Sequence, residues 1–190
     1  MRSYIERAQD FIQHIYPFIE NVQYDVYNLG YAIDQYNQRF NRKVLFRHGI
    51  SRIALITADY VIKYNFDESE VACVGGCEDE MRIYSIAKRE GFAHLFAEIT
   101  RFTFNNKSFY IMPRINGIGK YEWDYADNFM TEEEEKFCNS LNITDLHCNN
   151  YGFRNGHVCL IDYACGLEEE RTDYNSSDYY DSESAEISHS

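Results

Sequence analysis

The stretch that decides the fold runs from Ile143 to Ala164, ITDLHCNNYGFRNGHVCLIDYA. Within it, Asp145 is followed five residues later by Asn150. Tyr151 to Phe153 reads as a short strand, Asn155-Gly156 as a two-residue hairpin turn, and Val158 to Ile161 as the return strand. Asp162 stands directly after that apolar strand. A carboxylate, an amide and a second carboxylate in this order suit phosphoryl transfer. The first carboxylate orients an acceptor hydroxyl and receives its proton, while the amide and the second carboxylate hold Mg²⁺ on nucleotide phosphates. The hairpin sets the two metal ligands, Asn150 and Asp162, side by side.

Upstream, the hydrophobic period changes several times. Residues 1–40 read as helical, with Tyr4, Ile5, Ala8, Phe11, Ile12 and Ile15 on one face and a break expected near Pro17 or Gly30. Three β-rich runs follow: Lys43 to Phe46, Ile53 to Ile56 and Tyr60 to Tyr64. Short turns at Arg47 to Ser51 and Thr57 to Asp59 join them into an antiparallel meander. Residues 78–100 read as one helix whose acidic start, Glu78 to Glu80, complements the helix dipole. Phe102 to Phe104 and Ser108 to Met112 read as a hairpin around Asn105-Asn106, and residues 131–141 as a helix capped by Thr131 with Glu134 as its capping-box partner.

Taken together, these motifs resemble the protein-kinase-like superfamily. Asp145-Leu146 up to Asn150, then Asp162-Tyr163-Ala164, is similar to the kinase pattern H-R-D-L-x-x-x-N followed by D-F-G. His147, two positions after Asp145, makes the loop D-x-H-x-x-N, the form usual in aminoglycoside phosphotransferases and bacteriophage kinases. Val61-Ile62-Lys63 ends the meander as V-A-I-K ends the third strand of a kinase N-lobe. The resemblance implies an α+β, bilobal kinase-like fold: a small antiparallel N-lobe over 43–116 and a truncated helical C-lobe over 117–167. A helical extension (1–42) would precede them and an acidic, disordered tail (168–190) would follow.

The resemblance also implies roles. Asp145 would be the catalytic base, with Lys63 on the α/β-phosphates and Glu80, in preference to Glu78, as its ion-pair partner. Gly49, Ser51 and Arg52 would cover the phosphates of ATP, although a single glycine replaces the usual three. Backbone groups near Met112 and Arg114 would meet the adenine edge, and Asn150 and Asp162 would bind Mg²⁺. The implied activity is that of a compact protein kinase acting on protein hydroxyls. Tyr174, Ser176, Ser177, Tyr179, Tyr180, Ser182 and Ser184 in the tail are candidate autophosphorylation sites.

Composition bounds the alternatives. A net charge of -13 is the wrong sign for duplex nucleic acid or an anionic membrane, so neither is an expected partner. It suits a basic protein partner, and the alternative reading is an inactive, kinase-like acidic protein that binds and inhibits one. Ile143-Thr144 replaces the His-Arg before the catalytic Asp, and only 28 residues follow Asp162. With no secretory signal and six cysteines in no CxxC pair, the expectation is a cytoplasmic protein (host cytoplasm if viral) with reduced, structural thiols.

Overall fold

The computed structural model describes residues 2–21, 25–49, 52–65, 76–117, 130–143, 146 and 150–164. Two helices come first, α1 (Tyr4–Ile19) and α2 (Val26–Phe40). Ser3 and Glu6 form a capping box at the start of α1, and the Asp25 carboxylate caps α2 by accepting from the Tyr27 and Asn28 amides. The break between the helices therefore falls at neither expected place. Pro17 sits inside the last turn of α1 and Gly30 inside α2. Gly30 lies close against Phe46: a Cβ there would be 3.2 Å from the ring, which would have to shift by a few tenths of an ångström.

Five strands follow: β1 (Leu45–His48), β2 (Arg52–Ile56), β3 (Tyr60–Asn65), β4 (Thr100–Phe104) and β5 (Lys107–Pro113). They form an antiparallel sheet in the order β1-β2-β3-β5-β4, with α3 (Cys77–Glu90) inserted between β3 and β4. The first strand starts two residues later than expected, so Arg47 and His48 pair with Ala54 and Ile53 instead of turning. The helix expected over 78–100 ends at Glu90. Gly91 at φ 89 provides a left-handed cap, a conformation that glycine adopts without a side-chain clash. A short 3₁₀ turn over Ala93–Leu95 then leads into extended backbone.

The alternation of β-strands splits the sheet into two faces. Ile53, Leu55, Ile62, Tyr64, Phe109 and Ile111 pack with α1 and α2 into one fully buried core. The N-terminal helices thus cover the outer face of the sheet. Tyr110 and Met112 point the other way and join a second core with α3, Phe96 and the C-terminal elements.

Those C-terminal elements are β6 (Asn116–Gly117), α4 (Glu132–Ser140), β7 (Tyr151–Arg154) and β8 (His157–Leu160). The strands form a second sheet, β6-β7-β8. Asn155 and Gly156, at φ 53 and 82, make the expected hairpin turn, and Thr131 and Glu134 make the expected capping box of α4. The chain is α+β, with the sheet order and helix insertion that the kinase-like resemblance implies. Among the described residues no helix is long and apolar enough to cross a membrane.

Candidate active site

Lys63 lies on the inner face of β3, opposite Ala54 on β2 and Tyr110 on β5. Its ammonium group is 2.6 Å from Glu80 Oε1 and donates to the Ile161 carbonyl at 2.9 Å. Glu80 belongs to the buried stripe of α3, with Cys77, Ile83 and Ala87, and is fully buried. A carboxylate in an apolar stripe is costly unless paired. Here its Oε1 meets Lys63, Arg52 at 3.3 Å and the Tyr163 amide at 3.3 Å. Glu78, two residues earlier, pairs instead with the Tyr110 hydroxyl and Asn65.

Asp162 follows β8 and reaches the same place from below. Its Oδ1 is 3.0 Å from the Arg52 guanidinium and 3.6 Å from the Lys63 ammonium. Two cations and two carboxylates therefore close a charge-balanced cluster between the sheet and the hairpin. Burial pushes the Glu80 carboxyl up, with Lys63 and Arg52 opposing it. Burial also acts to raise Asp162, but the charges of Lys63 and Arg52 outweigh it and hold that carboxyl below the ordinary range. Lys63 is shifted up: its own burial works against the charged form, and Glu80 and Asp162 more than restore it.

Packing behind the cluster fixes Asp162. Tyr163 is fully buried, its ring 4.9 Å from that of Phe96, and its hydroxyl donates to the Ala97 carbonyl at 2.8 Å. The Ala97 amide in turn donates to Leu160 at the end of β8. Asn150 stands at the same open end of the hairpin as Asp162, where its backbone carbonyl accepts from the Ile161 amide at 2.8 Å. Gly152 lets β6 approach β7, because a Cβ there would sit 2.6 Å from Ile115 Cγ2 and 2.8 Å from the Asn116 carbonyl oxygen.

A cavity of about 290 Å³ opens beside Lys63 and Asp162. Ala54, Ile56 and Val61 form its roof, Ile161 lines it from the hairpin side, and Met112 to Ile115 line the strand exit. Apolar walls with a cation and a carboxylate at one end fit a planar base with a charged phosphate chain. Met112 and Arg114 both line this cavity. The Arg114 amide, however, already donates to Asp59 at 2.9 Å, so an adenine contact there would fall to other backbone groups. Gly49 closes the β1–β2 connection by donating to the Arg52 carbonyl at 2.9 Å.

Asp145, Ser51 and His147 lie outside the described residues, as do Trp123 and the tail. Among the described residues no group of three or more His, Cys, Asp or Glu side chains forms a metal cage. An Asn–Asp pair nevertheless suits Mg²⁺, which keeps waters and takes phosphate oxygens alongside one or two protein ligands. Cys77, Cys138 and Cys159 are buried. Burial pushes Cys77 up to about 12 and Cys159 up to about 11, which leaves those two unreactive near neutrality.

Sequence reasoning gave Arg52 to the phosphates and missed its bridge between Glu80 and Asp162. It also missed Tyr163 as the packing anchor and Ile161 as an acceptor for Lys63. A buried-pattern aromatic directly after Asp162 was the signal available for Tyr163. Nothing in the sequence marked the Arg52 bridge, which depends on register across β2 and β3.

Lys63, Glu80, Arg52 and Asp162 thus meet between the five-stranded sheet and the β7–β8 hairpin. Two solved structures are similar to the chain in fold. One is the Lpg2603 kinase of Legionella pneumophila bound to IP6, at 17% identity over 71% of this chain and 52% of that one, with a TM-score of 0.43. The other is WbdD in complex with the kinase inhibitor LY294002, at 18% identity over 63% of this chain and 32% of that one, with a TM-score of 0.29. The chain thus spans about half the length of the first and a third of the second. No family model and no curated protein matches it.

Proposed function

We propose that this chain is an ATP- and Mg²⁺-dependent phosphotransferase that acts on protein hydroxyls. The observation that carries the reading is the Lys63 ammonium held 2.6 Å from a fully buried Glu80 and 3.6 Å from Asp162, at the mouth of an apolar-walled cavity. When bound, ATP with Mg²⁺ supplies the phosphoryl group and neutralises charge as it transfers. Glu80 and the Ile161 carbonyl aim Lys63 at the phosphates. Asp162 and Asn150 hold the metal, and Asp145 accepts the proton of the acceptor hydroxyl. Arg52 releases Asp162 and turns to the phosphates, since one guanidinium fork serves either anion. Acidic-tail hydroxyls, Tyr174 to Ser184, are acceptors in the same chain.

One observation favours a second reading. The cluster is already charge-balanced by Arg52, so the fold needs no metal to neutralise Asp162. In this reading the chain is a kinase-like acidic protein that binds a basic partner without turnover. Thermal stability with and without ATP and Mg²⁺, combined with transfer of label from ATP, separates the two. An active enzyme gains stability only when both are present, Asp162→Asn abolishes the metal-dependent part, and Lys63→Met lowers transfer by about 10²-fold or more. A chain indifferent to ATP and Mg²⁺ that still captures a basic protein sinks the phosphotransferase reading.

A further inference from the structure

A second cavity, of about 660 Å³, lies on the opposite side of the five-stranded sheet, where α1, the α2–β1 connection and the β2–β3 turn meet. Small-molecule sites fall in the same range, about 300–1,000 Å³. One wall is a continuous aromatic surface. The Phe11 ring lies 5.5 Å from Tyr36 and 6.1 Å from Tyr60, and Tyr36 lies 4.9 Å from Phe40. Around that wall stand Arg7, His14, Arg42 and Lys43.

The acids of the cavity are paired with Arg2 and Arg7 and leave Arg42 and Lys43 unmatched. Asp10 is held by Arg2 from outside, and Asp59 by Arg7 Nη2 at 3.1 Å. Arg7 Nε is buried and has no hydrogen-bond partner among the described residues. Arg42 and Lys43 are exposed and form no ion pair among the described residues. Burial pushes the Tyr60 phenol up to about 12, Tyr36 adds to this, and Arg42 and Arg7 both act against it. Both guanidinium groups therefore lie within Coulombic reach of one phenol on the aromatic wall. In a chain of net charge -13, two unpaired cations, Arg42 and Lys43, beside an apolar hollow are a local inversion of the overall field.

We infer that this cavity binds an aryl phosphate, its ring against Phe11, Tyr36 and Tyr60 and its dianion on Arg42 and Lys43. Two unpaired cations favour a dianion over a monoanion, and an aromatic wall favours a planar ring over a bare ion. The site shares no lining residue with the cavity beside Lys63, so the inference stands apart from the phosphotransferase reading.

Titration of the full chain with phenyl phosphate at low salt, followed by calorimetry and phosphorus NMR, tests it. Saturable binding is expected, with Arg42→Glu and Lys43→Glu each weakening it about ten-fold or more. Both positions are exposed, so these variants keep the fold. Lys63→Met is expected to leave the affinity unchanged, and inorganic phosphate to bind about ten-fold more weakly. A short phosphotyrosine peptide run in parallel distinguishes a protein-borne aryl phosphate from a free one by whichever binds more tightly. Absence of saturable binding, affinity indifferent to both charge reversals, or equal affinity for inorganic phosphate would overturn the proposal.

Discussion

The two faces of the five-stranded sheet are built from the same strands and do opposite work. Along β3, Tyr60, Ile62 and Tyr64 point into the core under α1 and α2, whereas Lys63 points into the charge cluster. Along β5, Phe109 and Ile111 face the helices and Met112 faces the cavity. A strand places successive side chains on opposite faces, so one residue of register separates a close-packed hydrocarbon core from a lysine paired with a buried glutamate. The outer face supplies rigidity, which lets the inner face carry two cations and two carboxylates that could not hold a fold together by themselves.

The largest effect should come from breaking the outer face. Phe109 is fully buried and its ring lies 5.6 Å from Tyr64 and 6.2 Å from Tyr16. Phe109→Ala is expected to cost about 3–5 kcal/mol in urea unfolding. A loss below about 1 kcal/mol would mean that the helices are not firmly seated on the sheet.

Breaking the inner face should cost less. Lys63→Met leaves Glu80 buried without its nearest cation, but Arg52 stays at 3.3 Å and the carboxyl can take up a proton. The expected loss is about 2–3 kcal/mol, toward the low end for one half of a buried pair. The double variant Lys63→Met, Glu80→Met is expected to recover most of that loss, because two apolar side chains of similar size replace a pair whose desolvation offsets its attraction. A double variant as unstable as the sum of the two single changes would show that the cluster is structural, not a site tolerated for its chemistry.

What could be read from the sequence follows the same division. The hairpin over Tyr151–Leu160, the capping box of α4 and the three-strand meander rest on local chemistry: Asn-Gly turns, a Thr-x-x-Glu cap and period-two alternation. Glu80 was legible because it interrupts an apolar helical stripe one element after Lys63. The end of α3 was legible too, in Lys88-Arg89-Glu90-Gly91, but the apolar residues Phe92, Leu95, Phe96 and Ile99 continue at near-helical spacing and hide it. Leu95 instead ends a 3₁₀ turn, and Phe96 pairs with Leu160 of β8, both side chains being buried. The Arg52 bridge and the aromatic cavity depend on which residues the sheet sets opposite one another, and no local signal encodes that.

The smallest expected effect concerns pH, and it tests whether the four charges act as one group. Asp162 has a depressed folded-state value, so the stability it contributes is complete above the ordinary carboxylate value, about 3.9, and is lost as pH falls through its lower folded value. Glu80 runs the other way: its value is raised by burial, so its ionisation removes stability as pH rises from about 4.3 toward that higher value. Because Asp162 is 40% exposed, solvent screens its share, which should be well under that of the Lys63 change. Urea midpoints measured from about pH 2 to pH 7 should therefore show Asp162→Asn flattening only the acid limb and Glu80→Gln flattening only the slope above about pH 4. If either substitution changed both limbs, the two carboxyls would be titrating as a coupled pair, and Arg52, the cation shared between them, would be the residue to remove next.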